Sequence, residues 1–257
     1  MHNVSELTFH YLQKYNCQIF DDYQTILEEA CTVHQPPHGM AWYGQLYRQY
    51  ARKADWFANS LINNAAEEGN GSREVWQFSQ HIYNQEIAQL VRNHSIDESK
   101  HSKMFISLLN ILFPTEIETE FRTQLQLLSP EYYHHQHPPI SIPSPDNCLE
   151  EKRIMDEIIQ INLLEIRALI LQLLLRPILQ AYAQPEDLTK VTQMSDVFIY
   201  DETKHIEYSS YCIGKYIQQG NTNWVKQTMI ERQKTINEMF LQDIELESLG
   251  TTLLTTK

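Results

Sequence analysis

Two stretches decide how this chain is read: Ile96-Asp97-Glu98-Ser99-Lys100-His101 and Tyr200-Asp201-Glu202-Thr203-Lys204-His205. Each sets a Glu and a His three residues apart, which on an α-helix brings both side chains to one face. Each Glu follows an Asp. Apolar residues extend the same faces in both directions. Ile87, Val91, His94, Glu98, His101, Phe105, Leu108 and Leu112 form one stripe, and Val191, Met194, Phe198, Glu202, His205, Cys212 and Tyr216 form the other.

Two more carboxylates fall on apolar stripes. Ala54, Ala58, Leu61, Ala65, Glu68, Ser72 and Val75 recur by threes and fours, and so do Ile154, Ile158, Ile161, Glu165 and Ala168. The neighbouring Glu67 aligns instead with Asn63, Asn64 and Glu74, so Glu68 is taken as the inward residue. An isolated buried carboxylate costs many kcal/mol or takes up a proton unless something compensates it. Two divalent cations would balance Glu68, Glu98, Glu165 and Glu202, with neutral imidazoles from His101 and His205. Carboxylate oxygen with imidazole nitrogen suits iron or manganese. The opposing reading makes these residues solvated helix faces.

A third match, Glu131-Tyr132-Tyr133-His134, lies between prolines without an apolar stripe and is read as surface. Asp97 and Asp201 are candidates to accept the second ring N–H of the opposite hairpin's metal-bound His. His94, one turn before Glu98, is read as an additional ligand, a proton relay or a packed core histidine. Its counterpart in the other motif is Phe198.

The chain is 257 residues long, with seven Gly, ten Pro and 42% hydrophobic residues, a balance that favours long helices around one core. A single all-α domain is expected. An N-terminal helix covers 4–33, a first ligand hairpin 40–113, a crossover 130–148, a second ligand hairpin 149–217 and a C-terminal helix 222–247. The run 114–129 reads as a short polar helix. Gly69-Asn70-Gly71 predicts an irregular turn inside the first ligand helix, Pro177 a kink, and Pro185 the first position of the next helix. Gly220-Asn221 closes that helix, and 251–257 reads as frayed.

A formal charge of −13 argues against nucleic acid as the partner. Cys17, Cys31, Cys148 and Cys212 are scattered, as in a reduced cytoplasmic protein. The N-terminus lacks the features of a signal peptide. The apolar run 163–174 is interrupted by Glu165, Arg167 and Gln172 and reads as too short to cross a bilayer. No membrane partner is expected.

Taken together, Glu68, Asp97-Glu98-x-x-His101, Glu165 and Asp201-Glu202-x-x-His205 resemble the ferritin-like di-iron superfamily. That superfamily includes the ribonucleotide reductase small subunit, bacterial multicomponent monooxygenases and p-aminobenzoate N-oxygenases. The resemblance spans about residues 40–217. It implies a ferritin-like four-helix bundle, here with additional N- and C-terminal helices, in which the proline-rich 130–148 segment is the long crossover. It implies a cofactor of two Fe ions, with Mn or a mixed Mn/Fe pair as other occupants of such a ligand set. The implied activity is oxidation of a small organic substrate by O₂, with reduction from an electron donor; a homodimer is compatible with it. The N-oxygenases carry their extra His before the second motif, whereas His94 precedes the first. The alternative function is iron storage or peroxide detoxification, against which the terminal helices and the proline-rich crossover argue. A metal-free helical interaction protein would need all four Glu exposed.

Overall fold

The structure is a computed structural model that describes residues 3–114 and 148–254. Among these residues there is no β-strand, so the chain is all-α as the periodicity predicts. The 114–129 helix and most of the 130–148 crossover, with Glu131 and His134, lie outside the described residues.

The expected single helix over 4–33 is two helices, α1 (Val4–Lys14) and α2 (Asp21–Val33). The break has a local cause. Asn16 takes the left-handed conformation at φ 54. The Cys17 amide then donates to the Leu12 carbonyl at 2.9 Å and the Asn16 amide to Gln13 at 3.0 Å. Asn is one of the few residues that tolerates this helix-ending geometry. After a short turn at Pro37–Gly39 comes α3 (Ala41–Tyr50), which is separate from the first ligand helix, α4 (Ala54–Ser79).

α4 runs through Gly69-Asn70-Gly71 as regular α-helix, so the irregular turn expected there is absent. The small residues serve packing instead. Ala58, Ala65, Gly69 and Ser72 of α4 are buried, and so are Ala88, Ser95 and Ser102 of α5 (Gln85–Leu112), the helix that α4 packs against. Side chains this short let two helix backbones approach closely. Asn84 caps α5 by accepting from the Glu86 and Ile87 amides, and the helix stops at Phe113, before Pro114.

α6 (Glu151–Tyr182) contains Pro177 and is 32 residues long. By length and composition it is apolar enough to cross a membrane, which the shorter run 163–174 does not convey; a buried core helix meets the same test. α7 (Leu188–Tyr216) begins three residues after Pro185, because the Asp187 and Leu188 amides both turn back to the Gln184 carbonyl. It ends in a wide turn, Ile217–Asn221, where Gly220 takes φ 93. α8 (Thr222–Leu254) follows and is longer than the 222–247 expected.

The chain forms two compact units. The first comprises Met1–Gln45, Met155–Leu171 and Glu202–Lys257. In it α2 packs on α8, and Leu12, Tyr23, Leu27, Ile158, Ile159, Val225 and Met229 are fully buried. The second comprises Leu46–Ile154 and Gln172–Asp201. Its core holds Phe57, Leu61, Val91, Phe105, Leu175 and Phe198, and the Tyr182 hydroxyl donates to the Ala51 carbonyl at 2.7 Å.

Gly71 is a glycine the fold does not need. It has helical backbone angles, and an added Cβ would meet only Glu98 Oε2, at 3.8 Å. Gly71→Ala should therefore raise stability by up to about 1 kcal/mol through helix propensity, read as a higher urea midpoint.

His38 makes stability depend on pH. It is buried in the first unit, its ring 5.9 Å from that of Phe240, over which the Arg167 guanidinium lies at 5.0 Å. Burial, and then the charge of Arg167, lower its pKa from 6.5 to about 3. Below pH 6.5 the unfolded chain takes up a proton that the folded one refuses. The His38 contribution is thus complete above pH 6.5 and lost towards pH 3, by about 1.4 kcal/mol per unit. Urea unfolding from pH 7 to pH 4.5 should show wild type losing stability more steeply than His38→Leu. Parallel curves would contradict this.

Candidate metal site

In the second unit, α4 and α5 bring Glu68, Glu98 and His101 together. His101 is fully buried, and its Nδ1 lies 3.6 Å from Glu68 Oε2 and 3.7 Å from Glu98 Oε1. Glu67 is exposed. His94 is buried one turn earlier on α5, with Nε2 3.2 Å from Glu98 Oε1. The other ring nitrogen of His101, Nε2, lies 3.2 Å from Asp201 Oδ2. An ionised carboxylate only accepts, so a neutral His101 ring in this contact carries its proton on Nε2 and turns the Nδ1 lone pair towards the two Glu oxygens.

Asp201 also accepts from Lys100 Nζ at 2.5 Å, and Lys100 lies 3.4 Å from Asp97. Burial pushes the Asp201 carboxyl up, but hydrogen bonds from His101 and Lys100, with their charges, outweigh this and hold it below its ordinary value. Burial likewise draws Lys100 down, and its bond to Asp201 and the charges of Asp201 and Asp97 prevail, leaving it raised. The Phe198 ring lies 4.9 Å from that of His101, and Phe105 lies 4.6 Å from Phe198, so the ring sits among aromatic side chains.

The first unit repeats the pattern with α6 and α7. His205 Nδ1 lies 3.2 Å from Glu165 Oε2 and 3.4 Å from Glu202 Oε2. Relative exposures are 8% for Glu165, 1% for Glu202 and 2% for His205, so none of them belongs to a solvated face. In each unit one imidazole nitrogen faces two carboxylates, one from its own helix three residues earlier and one from the neighbouring helix. Donors in adjacent positions around a cation with bonds of about 2.1 Å stand roughly 3.0–3.4 Å apart. The observed separations are close to that range. Among the described residues, the buried His94, His101, Glu165, Glu202 and His205 and the half-buried Glu68 and Glu98 are side chains that could hold a metal ion.

Sequence reasoning did not single out the polar contacts that hold the ligand helices in register. The Ser95 hydroxyl donates to the Ser72 carbonyl at 2.7 Å and the Ser102 hydroxyl to the Ala65 carbonyl at 2.6 Å. Both pairs are buried and sit two turns apart, on either side of Glu68. A serine spaced by seven on α5 and matched by small residues spaced by seven on α4 was the available signal. Lys100 was also passed over, because its partner Asp201 is distant in sequence.

Each serine bond fixes the separation of α4 and α5 without satisfying an otherwise orphaned group, since Ala65 and Ser72 sit within a regular helix. Ser95→Ala and Ser102→Ala should each cost about 1 kcal/mol, the net value of a buried hydrogen bond. Two turns apart, they should add in the double variant. Chemical unfolding of the three variants is the check.

Comparison of the chain with protein-family models, with curated proteins and with solved structures finds no match.

Proposed function

We propose that this chain is a non-haem dinuclear iron oxygenase whose ligand helices α4, α5, α6 and α7 form a ferritin-like bundle. One observation carries the reading: in each unit a buried imidazole Nδ1 is faced by two carboxylate oxygens. In a neutral His101 ring bonded to Asp201, Nδ1 is an acceptor facing two acceptors, an arrangement that calls for a metal cation or a proton among them. Glu68, Glu98 and His101 would hold one iron and Glu165, Glu202 and His205 the other, and the four carboxylates balance two divalent ions. Manganese suits the same donors. Asp201 and Glu202 are consecutive residues of α7, so the carboxylate that orients one histidine is covalently next to a ligand of the other cluster.

When bound, the iron pair supplies the electrons with which O₂ is activated, and an external donor restores them. The chain's own residues prepare the site. Asp201 fixes the His101 tautomer and strengthens the imidazole as a ligand. Lys100 compensates the Asp201 charge. Phe198 and Phe105 keep water from the His101 ring, so the carboxylates act in a medium of low polarity. His94 can share Glu98 with the metal or pass a proton to it. The substrate is a small organic molecule.

Anaerobic loading of the purified chain with Fe(II) should give about two irons per chain. His101→Ala and His205→Ala should each lower that number while the far-UV circular dichroism stays helical. Reoxidation of the loaded wild type should consume O₂, and faster with an organic substrate and a reductant. Iron content near zero, or a single tightly held zinc without affinity for iron, would refute the dinuclear reading.

A further inference from the structure

A buried hydrogen-bonded chain runs from α2 to the backbone of His205. Tyr23, Asn162 and Ser209 are all fully buried in the first unit. The Tyr23 hydroxyl donates to Asn162 Oδ1 at 2.9 Å. Asn162 Nδ2 donates to Ser209 Oγ at 2.9 Å and to the Ile206 carbonyl at 3.5 Å, and because a carbonyl only accepts, the second contact fixes which end of the amide is which. The Ser209 hydroxyl donates in turn to the His205 carbonyl at 2.7 Å. Asn162 lies one turn before Glu165 on α6, and Ser209 lies one turn after His205 on α7. The pair Asn162–Ser209 therefore repeats, one turn away, the pairing of Glu165 with His205.

We infer that Tyr23, Asn162 and Ser209 are positioning residues for the Glu165–His205 ligand pair, an inference that rests on the metal-site reading above. Bonds of fixed direction couple α2, which bears no ligand, to the peptide group that carries the His205 ring. A polar chain in an otherwise apolar core is costly unless every member is bonded. Here the bonds run from Tyr23 through Asn162 to Ser209 and end on the His205 carbonyl at 2.7 Å and on the neighbouring Ile206 carbonyl at 3.2 Å. A serine bonded back to the carbonyl four residues earlier also tilts that carbonyl and bends its helix slightly. Removing the Tyr23 hydroxyl takes away the donor to Asn162 Oδ1 and loosens the amide that donates to Ser209 Oγ.

The experiment compares wild type with Tyr23→Phe, Ser209→Ala, Ser209→Thr and Val225→Ala, the last removing buried apolar volume on α8 in the same unit. In metal-free protein with ¹⁵N-labelled histidine, the His205 ring resonances should shift in Tyr23→Phe and Ser209→Ala. They should return towards wild type in Ser209→Thr and stay fixed in Val225→Ala. Fe(II) binding by the folded protein should weaken roughly tenfold in the first two variants, the effect expected when a ligand's support is removed. His205 resonances that move equally in Val225→Ala, or lowered melting temperatures with unchanged resonances and iron affinity, would overturn the inference. Wild type that binds no iron would instead refute the proposed function, and the metal-free resonances would still decide the positioning role. Should Tyr23→Phe fail to fold, Ser209→Ala against Ser209→Thr decides alone.

Discussion

Much of this structure answers to one constraint: a helical core cannot hold unpaired carboxylates. Glu165 and Glu202 lie inside the first unit beside a buried histidine, and Glu68 and Glu98 flank a buried histidine in the second. A lone carboxylate in such surroundings either takes a proton or is matched by a positive charge. Protonation relieves one carboxylate at a time by letting it donate to a neighbouring oxygen or nitrogen, whereas a divalent cation relieves both carboxylates of a cluster together.

That charge demand explains why the helices are held so firmly near it. The second unit uses Ser95 and Ser102 against α4 carbonyls, and the first uses Asn162 and Ser209 between α6 and α7. Both devices sit within two turns of a ligand. Short polar side chains fix helix separation to within a hydrogen bond's tolerance, which leucine packing alone does not. Two carboxylates that repel each other push their helices apart, and these bonds oppose that push whenever the cation is missing.

The ligand-bearing faces were legible in the sequence because helical periodicity and the Glu-x-x-His spacing are both local. Glu68 over Glu67 followed from which face continued Leu61 and Ala65. What the sequence concealed was non-local or conformational. Nothing in the run 4–33 interrupts the apolar pattern, and α1 ends because Asn16 adopts a left-handed conformation that its neighbours do not announce. Gly69-Asn70-Gly71 carries the signal of a break, yet close packing against α5 makes glycine and serine suitable inside a regular helix. Tyr23, Asn162 and Ser209 matter as a chain of partners, and pairings across 139 and 47 residues leave no mark on a single sequence.

The two motifs are nearly the same in sequence and unlike in their surroundings. Lys100 turns to Asp201, the carboxylate that orients His101, and to Asp97. Lys204, at the same place in the second motif, turns to Glu207 at 2.8 Å and to Cys17 Sγ at 3.6 Å. Burial, then Glu207, push the Cys17 thiol up to about 11 even though Lys204 pulls it down, so it is a protonated thiol at neutral pH and neither a ligand nor a nucleophile. Lys204 is therefore turned to Glu207 and Cys17, whereas Lys100 lies on the carboxylate behind His101. A carboxylate that shares its charge with an ammonium accepts more weakly from the imidazole N–H beside it. The His101 and His205 clusters thus differ in the charge placed beside them although both set an imidazole Nδ1 against two carboxylate oxygens, and the difference comes from Lys100, whose partner Asp201 lies 101 residues away in the chain.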